Sequence, residues 1–153
     1  MDLLEGTYKP ASDDAFNWAA QQVAAYEASG GREANTLPDH PEWPIVVITS
    51  RGAKSGNLRK NPVMRVEHGG VYAAVASKGG TPENPDWYHN FVADPLVQLQ
   101  DGPEPALYRA RIAEGTERAE WWDRAAAVYA PYNEYQQNTD REIPVFLLEP
   151  VTD

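Results

Sequence analysis

The chain has 153 residues, enough for one hydrophobic core, and its 42% hydrophobic and 24% charged residues exclude a disordered, collagen-like or coiled-coil protein. Zero cysteines exclude disulfides, thiolate metal sites and thiol catalysis, and 13 basic against 23 acidic residues leave a net charge of −10 that repels nucleic acid and anionic membrane. No apolar stretch approaches the roughly 20 residues of a membrane span, and Met1-Asp2-Leu3-Leu4-Glu5 lacks the basic flank and apolar run of a signal peptide, so the expectation is a soluble cytoplasmic protein with no stable membrane anchoring.

Residues 1–11 show no periodicity and are expected to be a loose lead-in. Ser12 with Asp13 and Asp14 supplies a capping hydroxyl and acids at the positive end of a helix dipole. Phe16, Ala19, Ala20, Val23, Ala24 and Ala28 recur at helical spacing, and Gly30-Gly31 predicts a stop near Ser29, giving an N-terminal helix over 12–29. Pro38, Pro41 and Pro44 make residues 30–44 read as an extended loop. The run Ile45-Val46-Val47-Ile48-Thr49 is β-branched and too short for a helix, so it predicts a buried strand. Turn residues 51–57 lead to a second strand over 58–67, in which Pro62 marks an edge or a bulge. His68-Gly69-Gly70 turns the chain into a third strand over 71–77, completing a three-stranded meander.

After the loop 78–84, Pro85 fits the first turn of a short helix over 86–93, closed by Pro95. Strands are expected over 96–100 and 106–113. Thr116 is the expected cap of a helix with Ala119, Trp122, Ala126 and Tyr129 on its apolar face, broken by Pro131. Residues 143–148 form a sixth strand. Strands without long intervening helices exclude a doubly wound parallel sheet. The prediction is one α+β domain over 1–153: a small split β-barrel of about six mostly antiparallel strands over 44–150, with helices packed outside.

The charge is uneven. Residues 51–78 hold Arg51, Lys54, Arg59, Lys60, Arg65 and Lys78 against Glu67 alone, so this segment carries +5 and the remainder −15. A cationic island in an acidic protein points to a small anion as ligand. Within it, Gly52-Ala53-Lys54-Ser55-Gly56 offers backbone N–H groups, a charge and a hydroxyl, yet lacks the spacing of a P-loop and reads equally as a solvated turn. Ala76-Ser77-Lys78-Gly79-Gly80 permits close approach of a flat ligand, or is an ordinary strand end. Asn84-Pro85-Asp86-Trp87-Tyr88-His89-Asn90 starts a helix and carries a ring for stacking, though Trp87 also suits a core. His89 has no second histidine at ligand spacing, so no metal site is expected. Tyr129, Tyr132 and Tyr135 are either packing at a helix end or an aromatic lid with hydroxyls for a substrate oxygen.

Taken in order, these segments resemble the deazaflavin-dependent nitroreductase and quinone reductase family. The resemblance includes Arg59-Lys60-Asn61-Pro62, Tyr129-Ala130-Pro131-Tyr132-Asn133-Glu134-Tyr135 and Thr139-Asp140-Arg141-Glu142-Ile143-Pro144-Val145, and it runs from about Pro44 to Pro150. It implies a split barrel that binds coenzyme F420, a deazaflavin with a phosphodiester and a polyglutamate tail. It further implies hydride transfer from the reduced deazaflavin to a small-molecule acceptor such as a quinone, a nitroaromatic, or a conjugated enone or lactone.

By motif match, Lys54, Ser55 and Arg59 would hold the anionic groups, with Ala53, Asn61 and Pro62 beside them. Ala76, Ser77, Lys78, Gly79, Asp86, Trp87, Tyr88, His89 and Asn90 would line the ring. Tyr132 and Ser77 would serve the reaction, and Tyr129, Tyr132 and Tyr135 the acceptor. Many relatives carry a basic residue where Ala53 stands, and Arg51 is the candidate replacement. The rival readings are a non-catalytic protein that stores F420, and a split barrel that uses FMN, FAD or haem.

Overall fold

The computed structural model describes residues 3–9 and 18–151. The expected cap at Ser12–Asp14 and the apolar Phe16 lie outside the described residues. Helix α1 (Trp18–Ser29) ends where the glycine pair predicts. Its buried side chains are Gln22, Val23 and Tyr26, while Ala24 and Ala28 are exposed, so the apolar face is rotated from the expected one. The reason is Tyr26, which donates its hydroxyl to the Gln100 carbonyl and accepts the Gly102 N–H, anchoring the helix through one large side chain. Within the described part of the lead-in, residues 3–9, the Leu58 N–H donates to the Thr7 carbonyl and the Lys9 N–H to the Leu58 carbonyl.

The proline-rich stretch is a hairpin rather than a loop. β1 (Thr36–Leu37) turns at Pro38 and Asp39 into β2 (His40–Arg51). Asp39 takes the left-handed conformation that a tight turn needs (φ 64°). Pro41 and Pro44 are tolerated at this end of β2 because only the two-residue β1 borders it there.

β3 (Leu58–Met64) and β4 (Val66–His68) replace the single strand expected over 58–67. Among the described residues β3 pairs with no strand but β2, so of the two expected alternatives, edge or bulge, Pro62 sits on an edge. β4 pairs with β5 (Val71–Val75), which pairs onward with the last strand, β8 (Val145–Pro150). The expected meander is therefore broken at Arg65. β6 (Leu96–Gln100) and β7 (Pro105–Ile112) complete the expected mostly antiparallel split barrel, whose curled sheet has eight strands among the described residues: the path β1-β2-β6-β7-β8-β5-β4, with β3 off it on β2.

Two runs explain why the sheet is buried on both faces. In β2, Ile45 and Val47 join one core while Val46 and Ile48 join another; in β8, Val145 and Leu147 divide from Phe146 and Leu148 in the same way. Alternate side chains point to opposite faces, so a run apolar at every position needs cover on both. One face packs under α1, α3 (Gly115–Val128) and α4 (Pro131–Gln137), the other under α2 (Asp86–Ala93).

α3 begins one residue before Thr116, with Glu114 at the cap position, and buries Trp121 and Ala125. The expected face is one residue out of phase: Ala119 is exposed, and Trp122 and Ala126 are half-buried. The adjacent pair Trp121-Trp122 makes both phases plausible, and the core takes Trp121. Pro131 does not merely break a helix. It opens α4 at a position where its missing N–H costs nothing. Among the described residues no helix is long and apolar enough to cross a membrane.

Candidate functional site

Two cavities meet at Trp87, and β3 borders both. The larger, about 590 Å³, takes Ala53, Lys54 and Ser55 from the β2–β3 turn and Arg59, Lys60 and Asn61 from β3. It also takes Asp86, Trp87, His89 and Asn90 from α2. The smaller, about 310 Å³, takes Pro62, Val63 and Met64 from β3 and Ser77, Lys78 and Gly79 from the turn after β5. Its far wall is Tyr129, Tyr132 and Tyr135. Sequence segments far apart in the chain are thus brought to one strand.

Two of the expected residues line neither cavity. Ala76 is fully buried in the core beneath α2, and Tyr88 turns its ring toward Phe146. Tyr88 is one helical step of about 100° from Trp87 on α2, and Ala76 is turned into the core one residue before the chain reaches Ser77. The structure also brings in Tyr8, Ala19 and Ala20, which close the larger cavity from the N-terminal side. No chemistry-bearing motif marks them, because their part is to supply wall.

The cationic island separates into paired and unpaired charges. Arg51 donates to the Glu5 and Gly56 carbonyls and lies 3.8 Å from Asp94, so it does not stand in at Ala53. Lys60 is bound to Glu27 of α1 at 2.6 Å and lies over the Tyr8 ring. Arg65 is bound to Asp101 at 2.8 Å, outside both cavities, and Lys78 lies 3.7 Å from Glu83. Among the described residues, Lys54 and Arg59 face the larger cavity with no carboxylate partner. Arg59 donates to the Lys9 carbonyl, which fixes its direction without neutralising its charge. The turn bearing Lys54 is fixed to α2, since the Ala53 N–H donates to buried Asn90 Oδ1 at 2.9 Å.

The smaller cavity is governed by burial instead. Tyr132 is 5% exposed, and among the described residues its hydroxyl has no hydrogen-bond partner. The Tyr129 and Tyr135 hydroxyls lie 2.7 Å apart. Burial pushes the Tyr132 phenol well above its ordinary value, with Tyr129 and Tyr135 adding to the shift. Burial likewise raises Tyr129, assisted by the hydrogen bond with Tyr135. Both phenols are therefore neutral donors across the physiological range.

Opposite them, Ser77 is 8% exposed, and Lys78, Gly79 and Gly80 all adopt positive φ. A side chain at Gly80 would meet the Tyr135 carbonyl oxygen at 2.6 Å, so glycine is what allows this turn to lie against α4. At Gly79 a Cβ would meet nothing within 4 Å, which leaves space on the cavity side.

A flat ligand with an anionic extension fits this pair of cavities: at one end two cations without a carboxylate partner among the described residues, and at the other an aromatic wall facing a glycine turn. The family model described as F420H(2)-dependent quinone reductase matches residues 18–150. An F420H(2)-dependent quinone reductase of Mycobacterium tuberculosis is 34% identical over 128 residues, covering 82% of this chain and 85% of the relative.

A solved F420-H2 dependent reductase shares 54% identity with a TM-score of 0.66, covering 69% of this chain and 94% of its own. A solved domain-swapped dimer shares 45% identity with a TM-score of 0.69, covering 85% and 93%. The haem storage protein HutZ of Vibrio cholerae shares the fold alone, at 11% identity, a TM-score of 0.54 and coverage of 71% and 82%. The chain belongs to the F420H(2)-dependent quinone reductase family.

Proposed function

We propose that this protein is a cytoplasmic, single-domain F420H2-dependent reductase that binds coenzyme F420 along β3 and reduces a small electrophilic acceptor in the smaller cavity. What carries this reading is the division of the groove: among the described residues Lys54 and Arg59 stand without carboxylate partners at one end, while half-buried Tyr129 and Tyr135 and buried Tyr132 form a wall at the other. In a protein of net charge −10, an anionic tail needs such a local cradle. When bound, the reduced deazaflavin supplies a hydride, and the protein supplies binding, orientation and electrostatics.

In this reading Lys54 and Arg59 hold phosphate or carboxylate oxygens through charge-assisted hydrogen bonds. Ser55 adds a hydroxyl. Asn61 and Pro62 border the passage between the cavities, and Trp87 closes it from α2. Ser77, Lys78 and Gly79 shape the floor on which a ring would lie. The Tyr132 hydroxyl, held in a low-dielectric wall, donates to the acceptor oxygen as negative charge gathers there. A phenol with a raised pKa is suited to hydrogen-bond donation and keeps its proton; the proton that completes the product then enters from solvent.

Quinones, nitroaromatics and conjugated enones share the required feature, an electrophile conjugated to an oxygen that gains charge. The experiment is steady-state oxidation of reduced F420 by one quinone and one enone, with F420 and FMN affinities measured alongside. Turnover with a clear preference for F420 is expected. Tight F420 binding without turnover of either acceptor would favour a storage role, and equal affinity for FMN would remove the assignment of the cationic end.

A further inference from the structure

Arg141 lies in the segment between α4 and β8, and it lines neither cavity. Its guanidinium spreads over three acceptors: Nη2 donates to the Ser77 carbonyl at 2.8 Å, Nε to the Thr81 carbonyl at 2.9 Å, and Nη1 to Asn84 Oδ1 at 2.7 Å. Among the described residues it has no carboxylate partner. Its own carbonyl accepts from Gln136 Nε2 at 2.8 Å, and Gln136 Oε1 accepts the Ile143 N–H at 3.0 Å. Arg141 therefore ties α4, which carries Tyr132 and Tyr135, to both ends of the turn that carries Ser77, Lys78 and Gly79, and to the approach to α2.

That turn needs holding. Lys78, Gly79 and Gly80 are consecutive left-handed residues, and Lys78 pays a steric penalty there that glycine avoids. Such a conformation persists only when its surroundings over-determine it. A planar fork is suited to the task, because its donors diverge in fixed directions where a lysine offers a single point charge.

We propose that Arg141 is a positioning residue for the smaller cavity: by clamping the Ser77 and Thr81 carbonyls and Asn84, it holds the Ser77–Thr81 turn in the shape that receives the cofactor's ring. The proposal rests on the reading of that cavity given above. It differs from a stabilising surface arginine such as Arg111, which binds two carboxylates, Glu117 and Glu149, each at 2.7 Å. Arg141 binds loop carbonyls and a loop amide, so its effect falls on the shape of the turn. Order in the empty site then lowers the cost of binding.

The test compares Arg141→Ala, Arg141→Lys and Arg111→Ala by F420 fluorescence titration, and by amide hydrogen exchange at Gly79 and Gly80 in cofactor-free protein. Arg141→Ala should raise the F420 Kd about tenfold and speed exchange at both glycines by a similar factor. Millimolar guanidinium should restore affinity to within about twofold, since it can occupy the vacated site. Arg141→Lys, which keeps charge and most of the packing, should weaken F420 by about threefold or more and not respond to guanidinium, because its side chain fills that site. It carries the test if the alanine variant does not fold. Arg111→Ala should change neither readout.

Wild-type F420 affinity in both Arg141 variants overturns the proposal, as does lost affinity with the Gly79 and Gly80 amides still protected. Failure of wild-type protein to bind F420 would instead overturn the cavity reading, and the exchange data would still decide whether Arg141 holds the turn.

Discussion

The two cavities share Trp87 and strand β3, but differ in what they leave uncompensated. The larger presents the cations Lys54 and Arg59; the smaller is lined by three phenols, of which Tyr132 is only 5% exposed. Charges near solvent act through attraction that salt screens. A neutral donor in a buried wall acts strongly but at short range, where the dielectric is low. The two cations are therefore suited to affinity and the Tyr132 hydroxyl to rate. Perturbations that move one quantity and not the other sharpen this division, and those that move both break it.

The largest effect is expected at the buried end. Tyr132→Phe should lower turnover by about 10²-fold and leave F420 affinity within about twofold, measured by steady-state kinetics with a quinone and by fluorescence titration. Full activity in this variant would reduce Tyr132 to packing. Next is Gly80→Ala, which places a Cβ 2.6 Å from the Tyr135 carbonyl oxygen at positive φ. It should cost at least about 2 kcal/mol in chemical denaturation and impair turnover more than a surface substitution of equal cost, because the turn it displaces carries Ser77.

A smaller effect is expected at the cationic end. Glu27 occupies Lys60 at 2.6 Å and so competes with any anion for that cation. Glu27→Gln should tighten F420 by about threefold at low salt, at a stability cost below about 1 kcal/mol. The gain should vanish at high salt.

The smallest effect concerns pH. The raised phenols Tyr129 and Tyr132 favour folding fully below the ordinary tyrosine value of 10.0. Above it, unfolded phenols ionise first and stability falls as pH climbs toward the folded values. Thermal melts should show no pH dependence from these groups near neutrality and a decline above about pH 10, shallower in Tyr132→Phe.

Much of this division was legible in the sequence because it resides in short segments. The island at 51–78, the glycine turn after β5, the start of α2 and the three tyrosines each declare a chemistry by residue type. What could not be read is how the strands pair. Nothing local shows that β5 joins β8 and not β3, since residues 73–75 pair with residues 145–147, a run far along the chain. Nor does local pattern reveal which cations are spent: Lys60 and Arg65 look like Lys54 and Arg59 until Glu27 and Asp101 arrive from other elements. The phase of α3 was misread for a related reason, since Trp121 and Trp122 are chemically alike and only the sheet beneath chooses between them. Arg141 was visible as part of a motif, but its three acceptors lie 57 to 64 residues away.

The most direct measurement of the division is a binding cycle with two ligands: complete F420, and the deazaflavin chromophore without its phosphodiester and glutamate tail. Each is titrated against wild-type protein and Lys54→Ala/Arg59→Ala at low and high salt. The double substitution should weaken F420 by about 10²-fold at low salt and the tail-less chromophore by no more than about twofold. Equal losses for the two ligands would contradict the account, because the cations would then be acting on the ring and not on the tail.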